Sequence, residues 1–325
     1  MAYEPETLQK AILYFANPDN CLNYLAAKRW PDGVPVCPTC GSEAVTFIAS
    51  RHVWQCKARH PKAQFSIKVG TIFEDSPISL DKWLTAMWLL ANCKNGISSY
   101  EIARDLGISQ KSAWHMLHRI RMAAHQGPVG KLSGEVEVDE TFIGGKARNM
   151  HLWKRRRKIT APGPKDKVPV MGILERGGKV RTFVVPGTRR KHLVPRIREH
   201  VEAGSAIFSD ELKSYDGLEA DYQHAVINHA VEYVRGNVHT NTMENFWSLL
   251  KRGLHGTYIS VEPFHLFRYV DEHAFRYNNR KGVDGEPFTD SDRFSLAVSQ
   301  IVGKRLTWDR LTGKAPANTE AELRC

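Results

Sequence analysis

The sequence predicts an α/β protein in which a mixed sheet covered by helices follows two smaller modules. Three observations predict it. From Gly134 onward, apolar and polar residues begin to alternate as in strands, where the preceding stretches carry helical spacing. Ahead of that change stands an isolated Cys37-Pro-Thr-Cys40 pair with two further Cys/His positions downstream. Between the two, Ser98–Arg121 reads as a pair of short capped helices broken at Gly107.

Composition sets the frame. A chain of 325 residues allows roughly two or three domains with at least one sizeable core. Its 46 Lys and Arg outnumber 35 Asp and Glu, giving a formal net charge of +11 and a pI near 9.4, which favours a polyanionic partner, nucleic acid or membrane surface. No apolar run approaches the roughly 18 residues of a membrane span, and Met1-Ala-Tyr-Glu-Pro is no signal peptide, so a soluble cytoplasmic chain is expected. The six cysteines, Cys21, Cys37, Cys40, Cys56, Cys93 and Cys325, are too uneven for a disulfide framework; in a reducing compartment the paired ones point to metal.

Residues 5–30 predict a helical lead-in that ends in the turn Arg29-Trp-Pro-Asp-Gly33. Zinc takes four soft or borderline ligands in a tetrahedron, and Cys37 and Cys40 supply two from one tight turn. Cys56 and His60 can supply the other two, and the fifteen residues between Cys40 and Cys56 suffice for a β-hairpin, as in a zinc ribbon. His52 is also near enough in sequence to compete with His60 for the fourth place. After Gly70-Thr-Ile-Phe73, residues 79–92 predict an apolar helix, with Leu80, Trp83, Leu84, Met87, Trp88 and Leu90 as core. Ser98 and Glu101 then form a capping box, Gly107 breaks the helix, and Ser109 caps the next. Ile102, Leu106, Ile108, Ala113 and Met116 would close the angle of a helix-turn-helix. In such a unit Gln110, Lys111 and Trp114 face the DNA major groove, with His118, Arg119 and Arg121 adding basic charge behind them.

Val136, Val138 and Phe142 alternate with Glu135, Glu137, Asp139 and Thr141 as in a half-buried strand. Residues 146–167 hold nine Lys or Arg against one Asp and end at Pro162-Gly-Pro164, so they read as a basic loop suited to phosphate contact. Val168–Leu174 and Val180–Val185 are strands joined at Gly177-Gly178; residues 191–202 are helical; Ala206-Ile-Phe208 is a short buried strand running into Ser209-Asp210. Tyr222–His229 is a further strand. In 239–252, Met243, Phe246, Trp247 and Leu250 share one helical face, while Glu244, Ser248 and Lys251, with Arg252 beside them, form a polar stripe. Asn241 is the expected N-cap there, with Glu244 completing a capping-box-like pair. Residues 263–279 form a last amphipathic helix, and the tail from Thr312 is expected to fray.

Three strands, a helix, a strand ending in an acid and a helix carrying an acid is the layout of a ribonuclease-H-like fold. Asp139 then lies on a central strand, Asp210 at the carboxyl end of its neighbour, and Glu244 on the packed helix, at the edge where open α/β sheets bind ligands. Such acids can hold two divalent ions for an in-line phosphoryl displacement. Glu140 competes with Asp139, but alternation puts Glu140 on the Val136/Val138 face and favours Asp139; Asp210 is favoured over Glu211 because it ends the apolar run.

Val138-Asp-Glu-Thr-Phe-Ile-Gly-Gly-Lys146, Ser209-Asp210, the 239–252 helix and Phe275-Arg-Tyr-Asn-Asn-Arg280 together resemble the ISXO-like transposases of bacterial insertion sequences, members of the DDE superfamily. Arg29-Trp-Pro-Asp-Gly33, the ribbon cysteines and Gly70-Thr-Ile-Phe73 extend the resemblance over nearly the whole chain. It implies Asp139, Asp210 and Glu244 as the metal-binding catalytic triad, and the 34-position step from Asp210 to Glu244 fits the family. The ribbon departs from the pattern, Cys56-x3-His60 standing in place of a closer second pair. The implied cofactors are two Mg²⁺ or Mn²⁺ ions and one structural Zn²⁺ held by Cys37, Cys40, Cys56 and His60. The implied activity is cutting of transposon ends and joining of their 3′-hydroxyls to target DNA. The implied partners are double-stranded DNA, both terminal inverted repeats and target, and further copies of the chain, with no membrane and a nucleoid location. Arg155, Arg156, Arg157, Lys251 and Arg252 would neutralise phosphates. The expected organisation is a helical lead-in over 1–33, the zinc ribbon over 34–70, the helix-turn-helix region over 71–128, the ribonuclease-H-like catalytic domain over 129–285 and a C-terminal tail over 286–325. A non-catalytic DNA-binding regulator and a purely hydrolytic nuclease are the rival readings.

Overall fold

In a computed structural model, residues 3–125, 127, 130–145, 147–159, 163, 166–227, 239–282 and 285–314 are described. They divide into two compact units, one holding the residues up to His125 together with those from Asn279 to 314, the other those between.

The first unit opens with helices α1 (Leu8–Phe15) and α2 (Pro18–Arg29), N-capped by Thr7 and Asn17. A three-stranded antiparallel sheet follows, β1 (Val45–Ile48), β2 (Val53–Cys56) and β3 (Gln64–Ser66), in chain order. Trp54 anchors it, with ring centroids 5.1 Å from Trp30 and 6.0 Å from Phe65. Helix α3 (Leu80–Asn92) buries Trp83, Leu84, Met87, Trp88 and Leu90, as its apolar spacing requires. Helices α4 (Ser99–Leu106) and α5 (Gln110–Ala124) follow. Ser98 and Glu101 make both bonds of the capping box, at 3.2 and 2.8 Å. Gly107 takes the left-handed conformation (φ 59°) that ends α4, and Ser109 Oγ accepts the Ser112 N–H that starts α5.

The basic residues at the end of α5 are not a surface. His118, Arg119 and Arg121 are buried. Arg119 donates to the carbonyls of Leu306, Ile72 and Glu74 at 2.9, 3.0 and 2.8 Å. Its charge thus satisfies backbone acceptors that packing would otherwise strand, and it corrects the expectation of a basic DNA-facing end.

The second unit is a five-stranded mixed sheet. Its strands are β4 (Glu135–Ile143), β5 (Val168–Glu175), β6 (Val180–Val184), β7 (Ala206–Asp210) and β8 (Gln223–Ile227), in the spatial order β6-β5-β4-β7-β8. The first three are antiparallel, while β7 runs parallel to both β4 and β8. Between β4 and β5 lies α6 (Leu152–Lys158), where a loop was expected. Lys and Arg are good helix formers, and nothing within the run breaks it; it buries no residue. Helix α7 (Arg190–His200) joins β6 to β7 and packs Leu193, Val194 and Ile197 over the face carrying Val136, Val138, Ile173 and Ile207. Helices α8 (Asn241–Gly253) and α9 (Leu266–Asn278) cover the other face, where Met243, Phe246, Trp247 and Leu250 meet Val170, Leu174 and Val180. The last part of the strand expected over Tyr222–His229 lies outside the described residues.

Residues 286–314 are no tail. They form α10 (Asp290–Ser299) and α11 (Trp308–Leu311), which pack on α3 and α5 of the first unit. Phe294 is fully buried among Phe15, Tyr24 and Trp88, at 5.9, 5.7 and 5.0 Å. The chain therefore leaves the first unit after α5 and returns to it after α9.

Candidate active site and cysteine cluster

Neighbouring parallel strands in register bring the acids together. Glu137 pairs with Phe208, so two residues further along both strands Asp139 comes level with Asp210. Ligand oxygens of Asp139, Glu140 and Asp210 lie within 4.8 Å of one another. Asp139 and Glu140 leave β4 on opposite faces, as alternation requires. Asp139 Oδ2 accepts the Trp247 indole N–H at 3.0 Å on the α8 side. Glu140 accepts the hydroxyl of the buried Tyr215 on the α7 side. Asp210 turns the chain after β7, its Oδ1 accepting the Leu212 N–H at 3.2 Å.

This crowding disfavours the ionised forms. Burial, then the charge of Asp210, pushes Asp139 up to about 6, with Glu244 adding to the rise. Burial also lifts Glu140 to about 8, against the Tyr215 hydroxyl, with Asp210 and Asp139 contributing. Hard cations take carboxylate oxygens, and a divalent ion would reverse the repulsion, so the donor set fits one. Glu244, in the first turn of α8, is exposed and stands outside the tight group, near enough for its charge to reach Asp139.

The start of α8 differs from expectation. Its N-cap is Thr240 in place of Asn241, with no side-chain capping bond from the cap residue. A strand residue does the work: the fully buried Glu137 accepts the Met243 N–H at 2.9 Å. Arg176 donates to Glu137 at 2.8 Å and to the His239 carbonyl at 2.7 Å, and His239 Nδ1 lies 3.4 Å from Glu137. His239 thus belongs to the anchoring of the helix, while His224 bridges Ser209 and Glu219 at 2.9 and 3.0 Å. His229 lies outside the described residues.

Gly172, the β5 partner of Asp139, lets α8 approach. A Cβ there would come 1.9 Å from Met243 Cε and 2.8 Å from Trp247 Cζ2. Sequence reading missed Glu137, Glu140 as a member of the cluster, and Gly172. The available signals were a charged residue on an inward strand position and a glycine inside an apolar strand.

The cysteine module brings Cys37, Cys40, Cys56 and His60 together, with ligand atoms within 4.8 Å of one another. Cys37 Sγ lies 3.5 Å from His60 Nε2, and Cys40 Sγ 3.6 Å from Cys56 Sγ. Bond lengths of about 2.3 Å for Zn–S and about 2.0 Å for Zn–N give tetrahedral edges of about this size. His60 Nδ1 faces the Pro61 carbonyl at 2.7 Å, which orients Nε2 toward the sulfurs. Burial alone would raise the Cys37 thiol, but backbone N–H groups of Cys40 and Thr39, then the Cys40 and Cys56 thiols, hold it at about 6. The four residues fit zinc. His52 is elsewhere, in a left-handed turn (φ 51°) with Nδ1 3.6 Å from Asp19.

The expected DNA contacts are unequally available. Lys111 is exposed, with its ammonium 4.5 Å from the centre of the Trp308 ring. Gln110 is half-buried and bonds Ser99 Oγ at 2.9 Å; Trp114 is half-buried against Trp308 and His118. Helix α11 covers this part of α5, which the reading of 286–325 as a tail had not allowed for. Arg155, Arg156 and Arg157 are exposed on α6, and Lys251 and Arg252 in the last turn of α8.

Comparison with known proteins agrees with these two clusters. Residues 131–278 match the ISXO2-like transposase domain, and residues 16–59 the transposase zinc-ribbon domain of the same IS1595 group. A protein in transposable element ISH50 of Halobacterium salinarum is 29% identical over 263 residues, covering 74% of this chain and 84% of its own. A transposase-like protein of Haemophilus influenzae is 34% identical over 102 residues, 31% of this chain and 82% of its own. A solved simian T-cell lymphotropic virus intasome, in complex with PP2A regulatory subunit B56 gamma, aligns with 65% of this chain and 74% of that one at 13% identity. Its TM-score of 0.30 is too low to bear on fold or function. The chain belongs to the ISXO2-like IS1595 transposase family. Among the described residues, no helix is long and apolar enough to cross a membrane.

Proposed function

We propose that the chain is a DDE transposase that cuts the ends of its element and joins the freed 3′-hydroxyls to target DNA. The observation that carries this reading is the level approach of Asp139 and Asp210 on neighbouring parallel strands of a chain in this family. Strand order β6-β5-β4-β7-β8, with helices on both faces, supports a ribonuclease-H-like catalytic domain. Asp139, Asp210 and Glu244 are the metal-binding triad of this reading, with Glu244 reaching in from α8. Two Mg²⁺ or Mn²⁺ ions, when bound, would activate the attacking oxygen and stabilise the leaving one. The chain's own residues set the geometry. The Trp247 indole N–H fixes Asp139, and the Asp210 turn holds its carboxylate at the end of β7. Lys251 and Arg252, two turns from Glu244, and Arg155, Arg156 and Arg157 on α6 neutralise DNA phosphates.

The ribbon over 34–70, with zinc on Cys37, Cys40, Cys56 and His60, and the helix pair of 71–128 as a helix-turn-helix read the terminal inverted repeats. Lys111 is the exposed member of the Gln110, Lys111 and Trp114 group and so its main DNA contact. Joining two ends calls for at least two copies of the chain on DNA. The partner is nucleic acid, with no membrane, and the location is the cytoplasmic nucleoid.

The test is end cleavage. Asp139→Asn should abolish Mg²⁺- or Mn²⁺-dependent cutting of a terminal-repeat duplex while leaving its binding to that duplex intact; unchanged cutting sinks the triad. A pre-nicked end with a free 3′-hydroxyl separates the rivals. Joined products mark a transposase, shortened strands alone a hydrolytic nuclease, and neither a DNA-binding regulator.

A further inference from the structure

The triad reading uses two of the three acids that come together and one that stands apart. Glu140 is the acid it leaves unused. Its carboxylate lies within 4.8 Å of both Asp139 and Asp210, whereas Glu244 does not join that group. Its position is also held. Tyr215, only 1% exposed in the core against α7, donates its hydroxyl to Glu140 Oε1. Ring packing sets where that hydroxyl sits, so the carboxylate cannot swing away without stranding a buried donor. An acid that merely filled space on this face would not be expected beside two other carboxylates. Without a cation such a group must stay protonated, whereas a divalent ion would let it ionise in place.

We propose that Glu140 supplies a ligand oxygen to the divalent cation held by Asp139 and Asp210. On this view, which rests on the metal-dependent reading of the site, the protein without DNA carries one cation site built from Asp139, Glu140 and Asp210. Tyr215 is the residue that positions Glu140. Glu244 matters to the cation bound together with DNA, whose phosphate oxygens complete that coordination. The two acids of the Asp139-Glu140 pair serve one site from opposite faces of β4. They can do so because Asp210, at the end of a neighbouring strand, has a carboxylate oxygen within 4.8 Å of both.

Direct Mn²⁺ binding tests this, with the full-length protein, no DNA, and free Mn²⁺ followed by its electron paramagnetic resonance signal. Glu140→Gln keeps the shape and can still accept the Tyr215 hydroxyl, so the fold should survive. It should weaken Mn²⁺ binding by well over about tenfold, and Tyr215→Phe by about tenfold, the low end of the range for groups that orient a ligand. Glu244→Gln should leave DNA-free binding near wild type. The melting temperature of Glu140→Gln without metal should stay close to wild type, while its rise on adding Mn²⁺ should largely vanish. A residue with a purely structural role would show the reverse pattern. Wild-type Mn²⁺ affinity in Glu140→Gln, together with loss in Asp139→Asn, overturns the proposal but leaves the site reading standing. Wild-type affinity in Asp139→Asn as well overturns the reading beneath it.

Discussion

The cysteine cluster and the acid cluster are each drawn within 4.8 Å, but by opposite means. The first is local. Its four residues lie within 24 positions, on a knuckle and at the end of a hairpin, and backbone N–H groups hold one donor, Cys37, at about 6. The second is assembled across 72 positions by strand register, and Asp139 and Glu140 in it are pushed up toward their protonated forms by burial and by neighbouring carboxylates. A local site on a small three-stranded sheet, held by the packing of Trp54, would gain much of its stability from a bound metal. A site built on a wide sheet would lean on the core, with any metal binding to a formed fold.

Metal removal should give the largest contrast. A strong zinc chelator, or Cys37→Ser, should unfold the ribbon, since folding free energy and zinc binding are coupled in such modules. The second unit should keep its structure. Amide hydrogen exchange read by mass spectrometry checks both at once: protection should be lost across β1–β3 and kept across β4–β8. Equal loss in both sheets would mean that the ribbon is no independent lever, and no loss would mean that the cluster holds no structural zinc.

The converse perturbation is smaller and acts on the sheet. Gly172→Ala puts a methyl group where Met243 and Trp247 pack. The Met243 end can move aside, but the Trp247 ring is tied to Asp139. The expected cost is about 1–3 kcal/mol by urea unfolding, as for overpacked cores. Zinc content should be unchanged and Mn²⁺ binding weaker, because the indole that fixes Asp139 is displaced. A variant as stable as wild type, with wild-type Mn²⁺ affinity, would show that α8 tolerates a wider gap than the close packing implies.

This difference also explains what was legible in the sequence. The ribbon could be read from Cys37, Cys40, Cys56 and His60 because local spacing encodes it; only the choice between His60 and His52 needed coordinates. Asp139 and Asp210 were legible as strand acids, since alternation and the end of an apolar run mark them. The anchor of α8 was not legible. Asn241 and Glu244 satisfy the local rule for a cap, but the sheet offers Glu137, a buried carboxylate paired with Arg176, and that long-range acceptor prevails. Helices α10 and α11 were missed for a similar reason. Phe294, Ala297 and Val298 form a narrow apolar stripe in a polar stretch, and only the packing against Phe15, Tyr24 and Trp88 makes it a core.

The smallest expected effect is in pH, and it tests the acid cluster. Asp139 rises from an ordinary 3.8 to about 6 and Glu140 from 4.5 to about 8. Between the ordinary and raised values the folded chain binds more protons than the unfolded one. These groups therefore favour the metal-free fold at low pH, and that contribution is lost as pH climbs through the window from about 4 to about 8. A bound cation supports the ionised acids and cancels the loss. The gain in melting temperature on adding Mn²⁺ should accordingly grow from pH 5 to pH 8, and Asp139→Asn should flatten that growth. In the ribbon the Cys37 thiol is shifted the other way while burial and the neighbouring thiols push Cys56 up, so its hold on metal should weaken progressively as pH falls. A Mn²⁺ gain that stays level across the range would mean that the acids carry no raised proton affinity.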